Sequence, residues 1–489
     1  MKILLKTLNK HLQKFNCGEK MKVLKFGGTS VGTVESFSNV VEIILGKFKE
    51  DQVCVVISAI GGITDKLISA VEFASLKNPK YLEVIAEIEQ IHYKFLKELV
   101  LNGKTNHTEE QITALLSSIE DKLKGIYLIE ETTHRQSDAI ISIGEQLSKT
   151  LLVAVLNARG VKSISLEAAE FIKTNSHYSI AEVNFDLTNK LIRDKFRKID
   201  RYTIPVVNGF TGSDTYGYIT TLGRSGSDYT ATIIAGALSA DSVEIWTDVD
   251  GILSADPRIV GEAKIIKEIN YNDAAELAFL GAKVIFPKAM EPVKAKRIPI
   301  LVLNTFNTDF EGTVINEKLG KFTSEIISIT SLNNLSMVSL GDITEEINYS
   351  VLTKVINKLN KHYLPIISLN HSLANRAISI LTYSKRISEF IEELREELKS
   401  ELEHHDVKKF SIVNNISLVT IIGNKTDNQP ETFKKISDTV ERLEISSLTY
   451  LNGTEGKNYS FLMDKTDTKD VIQALHETFF GDSLTANVA

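Results

Sequence analysis

The spacing of apolar positions divides the chain into two regions of different rhythm. From Met21 to about Thr313, short apolar runs alternate with helical stretches. The runs Val53–Ser58, Thr203–Gly209, Ser242–Thr247 and Pro299–Asn304 are apolar on both faces, as strands of a covered parallel sheet must be. Between them the pattern predicts helices over Ser36–Phe48, Tyr81–Leu101, Gln111–Lys124 and Ala231–Leu238. Alternating β and α predicts a three-layer α/β domain with a mostly parallel sheet over residues 21–315. The stretch from about Ile85 to Ile140 is mainly helical and polar, and reads as a helical insertion.

Near Phe310-Glu311-Gly312-Thr313 the rhythm changes. One unit, residues 316–408, has a strand over Leu335–Leu340, a helix over Ser350–Lys361 and strands near Ile366 and Ile378. Its closing helix places Ile387, Phe390, Ile391, Leu394, Leu398 and Leu402 on one face. The next unit, residues 409–489, repeats the plan with Ile416–Ile422, Glu431–Leu443, Ser446–Leu451, Tyr459–Met463 and Lys469–Phe480. Two βαββα units in tandem are an internal repeat of α+β modules.

Composition narrows the class. Apolar residues make up 43% and charged residues 24%, as in globular domains. A net charge of −7 argues against nucleic acid as main partner. No uninterrupted apolar run approaches the roughly 18 residues of a membrane span. Two cysteines, Cys17 and Cys54, make no disulfide framework, and Cys54 reads as a buried thiol inside an apolar strand. Residues 1–20 form a Lys-rich extension without the apolar core of a signal peptide, so a cytoplasmic location is expected.

The candidate chemistry sits where strands break into helices. Val23-Leu24-Lys25-Phe26-Gly27-Gly28-Thr29-Ser30 is an apolar run that ends in two glycines and two hydroxyls, with a helical pattern behind it. Such a turn presents bare N–H groups and a helix dipole to an anion, and Lys25 adds a cation. It lacks the spacing of a Walker A loop. Thr221-Leu222-Gly223-Arg224-Ser225-Gly226-Ser227-Asp228-Tyr229-Thr230 has the same grammar. Val243 to Gly251 is a strand ending in an acidic turn, with Asp256-Pro257-Arg258 soon after. Three such turns with hydroxyls, acids and arginine predict one nucleotide and one small charged substrate.

On these motifs, with Ser58-Ala59-Ile60-Gly61-Gly62-Ile63-Thr64, Gly144-Glu145-Gln146-Leu147-Ser148, Gly209-Phe210-Thr211-Gly212 and Gly281-Ala282-Lys283-Val284, the chain resembles the aspartate kinases of the amino-acid-kinase family. The resemblance runs from about Met21 to Phe480. It implies an amino-acid-kinase fold followed by two ferredoxin-like ACT modules that interleave and form a homodimer contact. It implies ATP and Mg2+ as cofactors, the metal held mainly by ATP and water rather than by protein ligands. The implied reaction phosphorylates the β-carboxylate of L-aspartate. That nucleophile is ionised at neutral pH and needs no general base, so catalysis is positioning plus electrostatics.

Residue by residue, the resemblance places Lys25 on the transferred phosphoryl group, with Phe26, Gly27 and Gly28 around it and Lys283 as a second nucleotide-side lysine. A lysine at a turn mouth contributes little core burial, so Lys25 is expected to matter little for stability. Arg224 would grip a substrate carboxylate, where a planar fork suits a bidentate pair. Glu145 and Asp228 would surround the substrate ammonium, Asp228 counting among the catalytic groups, with Ser227 and Thr64 as hydroxyl partners. Thr247, Asp248, Leu253 and Arg258 would line the nucleotide. Three positions depart from the family pattern: Leu253 for an aromatic, Ser225 for a glycine, and Phe286 for a histidine before Pro287.

An amino-acid effector at the ACT modules is also implied. Lysine-responsive relatives open the first ACT helix with Ser-x-Gly-Phe-Leu and follow a later strand with Thr-Ser-Glu. The matching stretches here are Asn348-Tyr349-Ser350-Val351-Leu352 and Asn370-His371-Ser372-Leu373, without the glycine and the glutamate. Lysine feedback is therefore not expected; threonine, another ligand or none remain open. Two other readings compete: a kinase for another acid such as glutamate or N-acetylglutamate, and an inactive amino-acid-sensing protein. The stretch after Phe480 is too short for a dinucleotide fold, so a fused homoserine dehydrogenase is not expected.

Overall fold

The structure, a computed structural model, describes residues 21–100, 105–282, 285–318, 326–344, 348–362, 364–372, 374, 376–385, 387–423, 429–445, 449–452 and 458–481. Two compact units divide the chain. The first holds everything to Ile252 with Ile265–Phe279 and Lys283–Lys321; the second holds Leu253–Lys264, Leu280–Ala282 and the chain from Phe322. The segment Leu253–Lys264, inside the range expected for the first domain, thus groups with the second unit.

In the first unit the strands are β1 (Met21–Phe26), β2 (Gln52–Ile57), β3 (Ser163–Leu166), β4 (Ile204–Asn208), β5 (Thr211–Ser213), β6 (Ile219–Thr221), β7 (Ser242–Thr247), β8 (Glu268–Asn270), β9 (Ile300–Asn304) and β10 (Thr313–Asn316). Eight of them form one sheet in the order β3-β4-β2-β1-β7-β9-β10-β8, while β5 and β6 make a separate hairpin. From β3 to β9 neighbours run parallel; β10 reverses against β9, and β8 follows β10. The strands expected from two-sided apolarity fall within a residue of these bounds, and β7 matches at both ends. On one face Leu24, Phe26, Val53, Val55 and Ile57 pack on Phe37, Val40 and Ile44 of the Val34–Glu50 helix and on Leu147 and Leu151 of the Ile143–Ala158 helix. The Gly226–Leu238 helix runs against β1, β2 and β7 and is buried on nearly all sides. That is why it reads as apolar all round rather than as a stripe.

The expected helical insertion is present as helices Tyr81–Leu99, Asn106–Ile129 and His134–Ile141. The stretch His134–Ala158 is long and apolar enough to cross a membrane by length and mean hydropathy (1.5), although no run within it is uninterrupted; 67% of its apolar window lies buried inside the molecule, as in a core helix. Cys54 is a buried, free thiol on β2. Cys17 lies outside the described residues.

The second unit carries β11 (Ile326–Ile343), β12 (Ser368–Ser372), β13 (Ala377–Tyr383), β14 (Val407–Gly423), β15 (Thr449–Asn452) and β16 (Asn458–Asp464) in one antiparallel sheet, order β12-β13-β11-β14-β16-β15. The expected strands Leu335–Leu340 and Ile416–Ile422 are each only part of a much longer strand. Ile326–Leu332 pairs with Leu418–Gly423, and Leu335–Ile343 with Val407–Ile416, across a register shift. One half of the sheet closes a core around Val338, Leu340, Val351, Phe390 and Leu394, the other a core around Ile329, Val419, Ile421, Phe461 and Leu475. Both long strands serve both modules, so the repeats interleave. Asn334 is left-handed (φ 59°) and sits at the irregularity inside β11.

Candidate active site

The carboxyl ends of β1, β2 and β7 carry the site. Strand order turns outward from β1, toward β2 on one side and β7 on the other, and open α/β sheets bind ligands at such switch points. At the end of β1, Gly27 N donates to Trp246 O of β7 (3.2 Å), and Ser58 N after β2 donates to Phe26 O (3.1 Å). The turn at Gly28 lies backbone to backbone on the turn at Gly61. A Cβ on Gly28 would meet Ala59 O at 3.1 Å, and one on Gly61 would meet Gly28 O at 3.1 Å. A Cβ at either position would crowd a backbone oxygen, so glycine suits that approach.

The helix after the first glycine turn begins at Val34, and its N-terminus is closed by a capping box between Thr33 and Ser36. This corrects the expected geometry: that helix start is satisfied by its own side chains and is not the free amide end the sequence suggested. Two other helices supply that end. Ile63–Ser75 starts after Gly62 and Gly226–Leu238 after Ser225, and neither N-cap makes a side-chain hydrogen bond. Thr64, and Ser227 with Asp228, stand in these first turns. Ser225 is left-handed (φ 55°), so the serine found where relatives carry glycine sits in a conformation costing roughly 1–2 kcal/mol for a non-glycine residue.

Side chains converge on this frame. Lys25 Nζ lies 2.6 Å from Asp228 Oδ1 as a charge contact rather than an aligned hydrogen bond. Ser227 Oγ donates to Ser58 Oγ (3.3 Å). Ala59 N donates to Glu145 Oε1 (3.3 Å), while Glu145 Oε2 is buried without a partner among the described residues. Burial pushes the Glu145 carboxyl up to about 8. Arg224 is exposed, its guanidinium 5.8 Å from the centre of the Phe286 ring. Thr247 Oγ1 donates to the exposed Asp248 (3.1 Å) just beyond β7.

The structure therefore brings together Lys25, Gly27, Gly28, Glu145, Ser227 and Asp228. Asp228 meets the lysine, leaving Glu145 as the acid with an uncommitted oxygen. Leu253 and Arg258 lie on the Leu253–Lys264 segment of the second unit, where Arg258 Nε donates to Asp256 Oδ1 (2.9 Å). Lys283 lies outside the described residues. In the second unit the two stretches aligned with the effector turns do meet, the Tyr349 and His371 rings standing 5.6 Å apart edge to face.

Sequence reasoning missed Asp138. It is buried and accepts from Ser179 N (2.8 Å), Ser179 Oγ (3.2 Å), Thr221 N (2.8 Å) and Thr221 Oγ1 (3.0 Å), tying the helical insertion to the strand that leads into Gly223-Arg224. Desolvation pushes the Asp138 carboxyl above the usual carboxylate range, against those four bonds. Nothing in the local sequence marks it, because its partners lie 41 and 83 residues away.

A family-level comparison matches residues 20–304 to the amino acid kinase family. Aspartokinase 1 (chloroplastic) of Arabidopsis thaliana is 31% identical over 94% of this chain and 80% of its own length. The chain belongs to the amino acid kinase family, in its aspartokinase branch. A bifunctional aspartokinase/homoserine dehydrogenase of Buchnera aphidicola is 28% identical over 96% of this chain, which spans 58% of that relative's length. Among solved structures, E. coli aspartokinase III with aspartate and ADP (R-state) is similar at a TM-score of 0.79 and 26% identity, covering 94% of this chain and 99% of that one. The same enzyme with lysine and aspartate (T-state) gives 0.73 and 27%. The kinase family, the mostly parallel sheet and the C-terminal antiparallel region agree with the sequence reading.

Proposed function

We infer that this chain is an aspartate kinase: it transfers the γ-phosphoryl group of ATP to the β-carboxylate of L-aspartate, giving ADP and 4-phospho-L-aspartate. The observation that carries the reading is the grouping of Lys25, the paired glycine turns, Glu145 and the open helix ends at Ile63 and Gly226 on one sheet edge. It supplies a cation and bare amides for phosphate and an acid for an ammonium, and the substrate's own carboxylate serves as nucleophile.

In the reaction, Lys25 and the Gly28 amide hold the phosphoryl oxygens as charge spreads over them, while the Gly27 amide stays committed to Trp246 O. Asp228 holds the Lys25 ammonium across the turn. Arg224 grips the α-carboxylate of aspartate, and Glu145 takes the α-ammonium, whose arrival returns the buried carboxyl to its ionised form. Ser227 and Thr64 orient the substrate. Thr247 and Asp248 border the nucleotide, with Leu253, Arg258 and Lys283 assigned there by similarity. Among the described residues no three His, Cys, Asp or Glu side chains cluster to hold a metal. Mg2+ would come in on the nucleotide phosphates, where it would neutralise charge. E. coli aspartokinase III binds lysine, and the Tyr349–His371 contact supports an effector pocket in this chain's first ACT module, in a homodimer, without the acid that would hold a lysine ammonium.

Release of ADP from ATP with L-aspartate, against L-glutamate as acceptor, tests the function. Aspartate-dependent release supports it; equal release with both, or none, speaks for another acceptor or an inactive sensor.

A further inference from the structure

Behind the glycine turn lies a pair of hydroxyls that the reaction as described does not use. Ser30 and Thr305 are 0% and 1% exposed. Thr305 Oγ1 stands 2.8 Å from Ser30 Oγ, and Ser30 Oγ donates to Trp246 O at 3.1 Å. Ser30 has one hydroxyl proton and it is committed to the carbonyl, so Thr305 is the donor of the pair. The same Trp246 carbonyl accepts from Gly27 N (3.2 Å), and Thr305 N donates to Thr247 O (2.9 Å).

These four bonds join the carboxyl ends of three adjacent parallel strands, β1, β7 and β9. The turn after β1 carries the Gly28 amide proposed to bind the phosphoryl group, and the end of β7 leads directly into Thr247-Asp248. The bonds set the distance between these two segments. The Lys25 ammonium lies over the same turn, 3.4 Å from where a Cβ on Gly27 would stand.

We propose that Ser30 and Thr305 are positioning residues for phosphoryl transfer: a buried hydroxyl relay that fixes the Gly27-Gly28 turn against the end of β7. Neither side chain touches a reactant. Thr305 acts only through Ser30, and Ser30 through the Trp246 carbonyl. Displacing reacting groups by about 1 Å can cost on the order of 10²-fold in rate. A purely structural role makes a different forecast, because replacing both members of a buried hydrogen-bonded pair by apolar groups of similar shape is nearly neutral for stability.

The proposal rests on the aspartate kinase reading, and the test separates the two. Wild-type turnover with L-aspartate is measured first; its absence overturns the reaction. Independently of turnover, ADP binding is measured by calorimetry and by the fluorescence of Trp246, the only tryptophan in the sequence. Ser30→Ala, Thr305→Val, Thr305→Ser and the double variant Ser30→Ala/Thr305→Val are compared as full chains. Ser30→Ala should lower kcat by about 10–100-fold and weaken ADP binding, with KM for aspartate within about 2-fold. Thr305→Val should lose about 3–10-fold and Thr305→Ser almost nothing. The double variant should match Ser30→Ala in rate while melting close to wild type. Multiplying losses, full turnover in the double variant, or Thr305→Ser as impaired as Thr305→Val would each overturn the relay. So would rate losses that only track melting temperature.

Discussion

Lys25 Nζ stands 2.6 Å from Asp228 Oδ1, and the two side chains are only 11% and 12% exposed. The cation of the proposed phosphoryl site and the acid of the first turn of the Gly226–Leu238 helix are therefore paired. From sequence, Lys25 appeared to contribute little to stability; the buried pair revises that. Removing one partner of a buried pair leaves the other charge uncompensated, at a cost of about 3–5 kcal/mol. Lys25→Ala should thus lower both kcat, by about 10²–10³, and the melting temperature. Lys25→Ala/Asp228→Asn should recover most of the stability and none of the rate. Thermal unfolding and steady-state kinetics on both variants check this; recovery of turnover in the double variant would remove Lys25 from the chemistry.

Glu145 provides a pH signature. Its carboxyl is pushed up to about 8 by burial, so the ligand-free site holds it protonated at neutral pH. Binding the aspartate ammonium requires the ionised form. kcat/KM for aspartate should then rise with pH and level off above about 8. Glu145→Gln should bind aspartate weakly and lose that limb. The sign for stability is opposite: a raised carboxyl favours folding below its unfolded value, near 4.5, and that contribution is lost as pH climbs toward 8. A pH profile of kcat/KM that is flat from 6 to 9 in wild type would contradict the assignment.

Arg224 is exposed and stacked over Phe286. An ammonium cannot reproduce a planar two-donor fork. Arg224→Lys should raise KM for aspartate about 10-fold or more, the scale of one charge-assisted hydrogen bond, with KM for ATP nearly unchanged. Equal effects on both substrates would move Arg224 to the nucleotide.

His92 makes a second, independent pH prediction in the helical insertion. It is fully buried, Nδ1 donates to Ile88 O (2.7 Å), and desolvation lowers its imidazole from 6.5 to about 4. Its stabilising contribution is complete above 6.5 and falls as pH drops from 6.5 toward 4, by about 1.4 kcal/mol per pH unit within that window. His92→Leu should flatten this part of the denaturation profile while leaving kinetics at pH 8 intact. An unchanged acid limb in the variant would place the titration elsewhere.

Much of this was legible because single residues carry the signal. Strand β7 could be placed at both ends because apolar residues fill both faces, and Lys25, Gly27 and Gly28 announce an anion site by their order. Other features had no local mark. The Gly226–Leu238 helix starts five residues before the expected Ala231, because the apolar pattern begins only there while Gly226, Ser227 and Asp228 are tolerated in a first turn. The interleaved β11 and β14 hide behind Asn333-Asn334, and Asp138, Ser30 and Thr305 gain their roles from partners 41 to 275 residues away.

The proposed effector pocket lies in the second unit. Tyr349 and His371 meet, but the glutamate expected after the later strand of lysine-responsive relatives is missing. A buried ammonium without a carboxylate loses its hydration uncompensated. Millimolar lysine should inhibit weakly if at all, with ATP and aspartate near their Michaelis constants and threonine tested in parallel. Strong inhibition by lysine alone would mean another acid takes the place of the missing one.

The most direct test of the whole account is the chemical form of the product. With ATP, Mg2+, L-aspartate and hydroxylamine, an acyl phosphate is trapped as a hydroxamate. The account predicts aspartate β-hydroxamate formed in step with ADP, lost in Lys25→Ala and absent with L-glutamate. ADP released without hydroxamate, or hydroxamate formed equally from glutamate, would contradict it.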